Sequence, residues 1–277
     1  MSVLDHILRI SAHWGELQAE FEEAFAKIEF PDLNEFGQDP FGLRPDLLPK
    51  AALPVHWLYK HYFRVQNYHI DRLPAEPCLV VSNHTGQIPL DGTMITAAVM
   101  SDAPHPRFLR AMVDHFVGTL PFIGSFFEKV GQVAGTPENC LYLLSRGYSV
   151  LVFPEGAKGI TKPFHRAYEL QNFGQGFLRL ALQAGVPIVP VAVVGAEESL
   201  PSLGTLDVFS RVGGPPIPLL ATPLPLPTRF HIHWGEPLRF DAAHDDDDEV
   251  ISELVEQVRS TIRAMIERGL ADREGLF

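Results

Sequence analysis

Three short, uninterrupted apolar runs constrain the fold of this chain more than any other feature. They cover residues 78–81, 150–152 and 187–194, and segments with a helical pattern (93–100, 139–146 and 176–184) lie between or beside them. Apolar runs without polar alternation are typical of strands buried on both faces, and parallel strands need helical crossovers. We therefore predict an α/β fold with a mostly parallel central sheet flanked by helices.

The segments outside these runs give the remaining elements. Residues 3–28 have the apolar spacing of an amphipathic helix, and the Pro- and Gly-rich residues 31–54 predict a long loop. Further helices are predicted at 55–63, 108–117, 126–130 and 249–268, and strands at 63–70 and 230–234. The prolines between 213 and 227 exclude a central strand there. We expect an N-terminal helical extension (1–63) and one larger domain (64–277) that together form a compact unit.

Composition limits the function classes. The chain has 46% hydrophobic residues and a net charge of −12, so it can form a core but lacks the basic stripe that nucleic acid binding needs. Its two cysteines have no CxxC spacing, and we predict no metal site. The N-terminus has no signal-peptide pattern, and no run reaches the ~18 apolar residues of a membrane span. We expect a cytoplasmic chain, either free or resting on the inner face of a membrane.

A histidine and an aspartate frame the loop that follows the first apolar run. His84 comes three residues after the end of the run, and Asp91 lies at the predicted start of the next helix. An imidazole held by a carboxylate can act as a general base toward a hydroxyl. Gly86 and Pro89 permit the bend that would bring the two side chains together. The alternative is that Asp91 only caps its helix.

A second polar cluster follows the next apolar run. Phe153, Pro154, Glu155 and Gly156 lie at the expected carboxyl end of a strand, where sheets of this class place their sites. A local basic group follows and suits an anionic ligand, although it also fits an ordinary solvated loop; its members are Lys158, Lys162, His165 and Arg166.

These blocks resemble the glycerolipid acyltransferase family, whose best-known members are the 1-acylglycerol-3-phosphate acyltransferases. The resemblance covers residues 77–195 in ordered blocks: the Asn-His loop ending in Asp91, the Phe-Pro-Glu-Gly block, and the Val-Pro-Ile-Val-Pro-Val block at 186–191. It implies a glycerol-3-phosphate acyltransferase-like fold. It also implies transfer of an acyl group from acyl-CoA or acyl-carrier protein to a lipid-like alcohol, with no cofactor.

The resemblance also implies roles for individual residues. His84 would be the base that takes the proton of the acceptor hydroxyl, and Asp91 would orient its imidazole. Glu155 and Gly156 would lie in the acceptor pocket, which Phe153 and Pro154 would shape. Lys158, Lys162 and Arg166 are the candidate contacts for an anionic group on the substrate.

The sequence departs from the family pattern in two places. Six residues separate His84 from Asp91 where the family usually has four, so the loop must bend to keep the pair together. The Gly-rich block at 131–136 lacks the family's phosphate-binding arginine, which leaves open whether the acceptor carries a phosphate. Two other functions remain open: a non-catalytic lipid-binding protein on the same scaffold, and an acyl-thioester hydrolase.

The acyl chain needs an apolar surface. The densest apolar stretch near the two clusters lies between Phe116 and Phe127. It predicts either ordinary core, or one wall of an acyl groove or membrane-facing patch.

Overall fold

The fold is known from a computed structural model, which describes residues 3–84, 89–114, 123–156, 159, 162–206 and 217–277. The helices of these parts are α1 (Val3–Phe25), α2 (Leu48–Trp57), α3 (Leu90–Ser101), α4 (Ile123–Lys129), α5 (Pro137–Ser145), α6 (Gly176–Ala184), α7 (Ala196–Ser199) and α8 (Asp248–Asp272). A π-helical turn, Leu58–Tyr62, continues α2, and short 3₁₀ turns lie at Ile70–Arg72 and Phe164–Arg166.

Seven strands form the main sheet. They are β1 (Gln66–Tyr68), β2 (Leu79–Ser82), β3 (Arg110–Val113), β4 (Val133–Ala134), β5 (Val150–Val152), β6 (Ile188–Val194) and β9 (His231–Trp234), in the order β1-β9-β6-β2-β5-β3-β4. All neighbouring pairs are parallel except β6 and β9. The predicted α/β class, mostly parallel sheet and N-terminal helices are confirmed. β7 (Ser202–Leu206) and β8 (Ile217–Leu220) pair antiparallel and form a separate two-stranded hairpin.

Helices cover both faces of the sheet, which explains the unbroken apolar runs. Val80 and Leu151 pack toward α3 and the turn after α2. Their neighbours Leu79, Val81 and Val150 point to the other face, toward α5, α6 and α8. Because successive strand residues alternate between faces, each run must be apolar at every position.

A buried ion pair ties the N-terminal segment to the sheet. The Arg110 guanidinium is fully buried, pairs with the buried Asp39 carboxylate, and donates from Nε to the Gly131 carbonyl at 2.9 Å. It also lies over the rings of Phe41 and Tyr148. The Asp39 carboxylate therefore compensates a charge that would be costly to bury alone.

The helix predicted for residues 108–117 is wrong where the structure describes it. Arg110–Val113 is strand β3, paired with β5 on one side and β4 on the other. Leu109, Ala111 and Met112 have high helix propensity, which favours a helix in this segment. Packing in the sheet overrides that propensity. In addition, α2 begins at Leu48, inside the segment predicted as loop.

No helix within the described ranges is both long and apolar enough to cross a membrane.

Candidate functional site

The two polar clusters meet at one edge of the sheet. Val81 of β2 pairs in register with Val152 of β5, so the residues that follow both strands emerge side by side. This places His84 close to Phe153 and Glu155. Carboxyl ends of parallel strands are where sheets of this class bind substrates.

His84 and Asp91 form a hydrogen-bonded pair. The distance from His84 Nδ1 to Asp91 Oδ2 is 2.7 Å, although residues 85–88 between them, Gly86 included, lie outside the described residues. The two side chains therefore meet despite the six-residue spacing. Asp91 is fully buried, and its other oxygen accepts the Gly92 N–H at 2.7 Å. The carboxylate favours the proton on Nδ1, which leaves the Nε2 lone pair as the basic site.

Phe153 supports the imidazole from one side. Its ring stacks on that of His84 with the centroids 4.1 Å apart and the planes at 19°. Gly92 keeps room for this ring, because a Cβ there would lie 3.3 Å from it. Phe153 thus restricts the imidazole to one plane, while its role in shaping an acceptor pocket stays a prediction.

Glu155 is bonded inside the protein rather than facing solvent. Its Oε1 accepts the His84 backbone N–H at 2.9 Å, and its Oε2 accepts the Gln171 N–H at 2.7 Å. The side chain is fully buried. Glu155 therefore fixes the backbone at His84, a positioning role that sequence reasoning missed because Gln171 is remote in sequence.

Two of the predicted basic residues have partners within the protein. Lys162 Nζ lies 3.0 Å from Glu197 Oε1 and 3.8 Å from Glu155 Oε2, and Lys162 is buried. Burial raises the pKa of Glu197, and the Lys162 ammonium opposes this. Arg166 is half-exposed and bonds Glu169 at 2.6 Å. Lys158 lies outside the described residues.

Backbone contacts hold the rest of the Phe-Pro-Glu-Gly block. The Pro154 carbonyl accepts the Gly174 N–H, and the Gly156 N–H donates to the Phe153 carbonyl. Gly156 has φ +56°, a conformation that glycine adopts without strain. The predicted loop glycine thus serves a tight turn at the strand end.

Asn83 and Gly159 complete the support and were not predicted. The Asn83 amide donates to the Val193 carbonyl at 3.0 Å and accepts the Val193 N–H at 2.8 Å, which fixes β2 to β6 one residue before His84. A Cβ on Gly159 would lie 2.9 Å from His84 Cβ and 3.0 Å from Glu155 Cβ. The Gly in Gly156-Ala-Lys-Gly159 is the sequence signal for this close approach.

An apolar cavity of about 170 Å³ lies between α2 and α3. We call it the α2–α3 groove. Four aromatic residues line it: Phe21, Phe108, Phe126 and Phe127. The last two belong to the apolar stretch 116–127 of the sequence, whose residues 116–122 lie outside the described part. Among the described residues, no group of three or more His, Cys, Asp and Glu side chains could hold a metal ion.

Comparison with known proteins shows what this chain is similar to. A family model described as Acyltransferase matches residues 64–194. An uncharacterized protein of Mycobacterium leprae is 38% identical over 259 residues, which cover 88% of this chain and 71% of that protein. A chicken (Gallus gallus) protein described as a DGAT1/2-independent enzyme synthesizing storage lipids is 26% identical and aligns with 71% of this chain and 57% of its own length.

The fold has a solved counterpart. The crystal structure of the 1-acyl-sn-glycerophosphate (LPA) acyltransferase PlsC from Thermotoga maritima superposes with a TM-score of 0.51 at 17% identity, over 80% of this chain and 82% of that one. At this identity the likeness establishes a shared fold only.

Proposed function

Because the chain belongs to the acyltransferase family, we propose that it moves a fatty acyl group from an acyl thioester to the hydroxyl of a lipid-like alcohol. The 2.7 Å contact between His84 Nδ1 and Asp91 Oδ2 carries the proposal. It supplies a histidine base with its orienting carboxylate at the sheet edge where substrates of this fold class bind.

The reaction follows from this geometry. His84 Nε2 takes the proton of the acceptor hydroxyl while the oxygen attacks the thioester carbon. The carbon–sulfur bond then breaks, and the imidazolium returns the proton to the leaving thiolate, which gives an ester and a free thiol. Asp91 stabilises the imidazolium between these steps, and Glu155 holds the His84 backbone in position.

The contacts of Lys162 and Arg166 favour an acceptor without a phosphate. Lys162 is bonded to buried carboxylates, and Arg166 is bonded to Glu169. A phosphate at Lys162 would have to displace a buried carboxylate, and at Arg166 it would compete with Glu169. We therefore propose a neutral alcohol, such as a monoacylglycerol or a long-chain alcohol, ahead of a lysophospholipid.

Exposed leucines on the hairpin and just after it indicate that the protein acts at a lipid surface. Leu203 and Leu224 are 65% and 72% exposed, and Leu219 is 44% exposed. They lie on or just after a hairpin that follows β6, a strand whose carboxyl end is at the edge where His84 lies. Apolar surface next to a site for lipid substrates is expected where the protein rests on a membrane, so we propose peripheral attachment on its cytoplasmic face.

The test is transfer of a labelled acyl group from acyl-CoA to a panel of monoacylglycerols, long-chain alcohols and lysophospholipids. His84→Ala should lower the rate by about 10²- to 10⁴-fold, the usual contribution of a general base. The same substitution at the exposed His105 should leave the rate unchanged. Full activity in His84→Ala would contradict the mechanism.

The same assay separates the alternatives. Release of free acid from acyl-CoA without an acceptor, dependent on His84, would indicate a hydrolase. Lipid binding with no turnover of any donor would indicate a non-catalytic lipid-binding protein.

A further inference from the structure

Small side chains create the α2–α3 groove. Ala51 and Ala52 of α2 face it from one side, and Thr96 and Ala97 of α3 face it from the other. Protein interiors are normally packed without such voids, because unfilled space forfeits dispersion contacts. Two helices that both present small residues at one contact leave space for something else.

One polar atom in this groove lacks a partner. His56 lines the groove and is 2% exposed, and its Nδ1 lies 3.2 Å from the Ser101 hydroxyl. Its Nε2 is buried, and within the described part of the chain no atom hydrogen-bonds to it. A buried polar group without a partner is destabilising, so a bound molecule that reaches this nitrogen with an oxygen atom gains a hydrogen bond.

The groove extends along α3 from the end of the helix that carries Asp91 to the end that contacts His56. Its lining on α3 begins at Thr93, two residues after Asp91, and ends at Ser101. At 1.5 Å per residue, these eight steps span about 12 Å along the helix. A ligand with an apolar chain that starts near the His84–Asp91 pair and follows α3 therefore meets the His56 imidazole well along its length.

We propose that the α2–α3 groove holds an apolar chain bearing a hydroxyl group away from its head, and that His56 Nε2 hydrogen-bonds to this hydroxyl. The chain is assigned to the acyl group of the donor thioester, so the inference rests on the proposed acyl transfer. Free hydroxy fatty acids have the same chemistry, and the experiment below separates them from the thioester.

The protonation of His56 suits this role. When the Ser101 hydroxyl donates to Nδ1, the proton of the neutral ring lies on Nε2, which then donates to the chain oxygen. Burial lowers the pKa of His56, so the ring stays neutral at pH 7. A neutral donor in an apolar groove can distinguish a hydroxylated chain from a plain one without burying a charge.

The test compares acyl-CoAs of equal chain length, with a hydroxyl placed at successive positions or absent. We expect the wild type to favour one hydroxyl position over the plain chain by about three- to tenfold in kcat/KM, the worth of one hydrogen bond. His56→Phe should bring this ratio to about one. His56→Gln, which keeps a donor, should retain part of it, and His105→Phe is the matched control at an exposed histidine.

A binding measurement separates this inference from the proposed function. Hydroxylated and plain free fatty acids compete with a fluorescent fatty acid on the full-length protein, without any thioester. A hydroxyl preference in binding that depends on His56, with no transfer from any donor, would support the groove and overturn the acyl transfer. Equal binding and equal turnover at every hydroxyl position would overturn the proposed recognition of a hydroxyl in the groove. A hydroxyl preference that persists in His56→Phe would overturn it as well.

Discussion

Two histidines in this protein use Nδ1 in the same way but differ in its partner. His84 Nδ1 contacts the Asp91 carboxylate at 2.7 Å, and His56 Nδ1 contacts the neutral Ser101 hydroxyl at 3.2 Å. A carboxylate stabilises the imidazolium, so the opposite nitrogen can accept a proton. A buried hydroxyl offers no such stabilisation, and the ring remains a neutral hydrogen-bonding group. The partner of one ring nitrogen thus decides what the other can do.

The largest expected effect comes from weakening the carboxylate partner of His84. Asp91→Asn removes the charge that orients the ring and stabilises the imidazolium, so kcat should fall by about 10²- to 10⁴-fold while the fold persists. Acyl transfer and circular dichroism measure the two effects. Asp102→Asn, which follows the other end of α3 and contacts Tyr59, should change stability but not kcat. A rate near wild type in Asp91→Asn would show that the charge is unnecessary.

A smaller effect is expected from moving His84 without changing its partner. Gly159→Ala places a Cβ 2.9 Å from His84 Cβ and 3.0 Å from Glu155 Cβ, so these side chains must shift by a few tenths of an ångström. Misplacement of a catalytic group lowers kcat steeply, and we expect a loss of about ten- to a hundredfold. Gly174→Ala, where a Cβ meets nothing within 4 Å, is the control. Equal rates in both variants would mean that the site tolerates the displacement.

The smallest effect should come from giving His56 the kind of partner that His84 has. Burial keeps the pKa of His56 below its usual value of 6.5. The unfolded chain therefore binds more protons than the folded one just below pH 6.5, and the free energy of unfolding falls as pH drops through this range. Ser101→Asp should raise the pKa of His56 and reduce this loss. Titration of the His56 ring by NMR measures the change, and a wild-type midpoint at or above 6.5 would contradict the comparison.

The sequence predicted the parts of the site that depend on strand ends. His84 and the Phe-Pro-Glu-Gly block each follow a short apolar run, and parallel strands bring their carboxyl ends to one edge. It could not predict the contacts that join distant segments. Glu155 bonds the backbone at Gln171, and Asn83 bonds β6 at Val193, across 110 positions of sequence.

The errors in the fold have a similar origin. The segment that forms β3 is rich in good helix formers, and only pairing with β4 and β5 makes Arg110–Val113 a strand. The hairpin of β7 and β8 was not predicted, although the prolines correctly excluded this segment from the central sheet. The groove depends on the crossing of α2 and α3, which a one-dimensional pattern does not contain.

The buried pair of Arg110 and Asp39 limits how this protein can be divided. The family model begins at residue 64, yet the charge that neutralises Arg110 lies 25 positions before that boundary. A chain cut at residue 64 would retain a buried guanidinium without its carboxylate, a loss of about 3–5 kcal/mol and a large share of a typical domain's stability. Grafts and truncations of this protein should therefore keep Asp39 together with the sheet, whichever boundary the family model suggests.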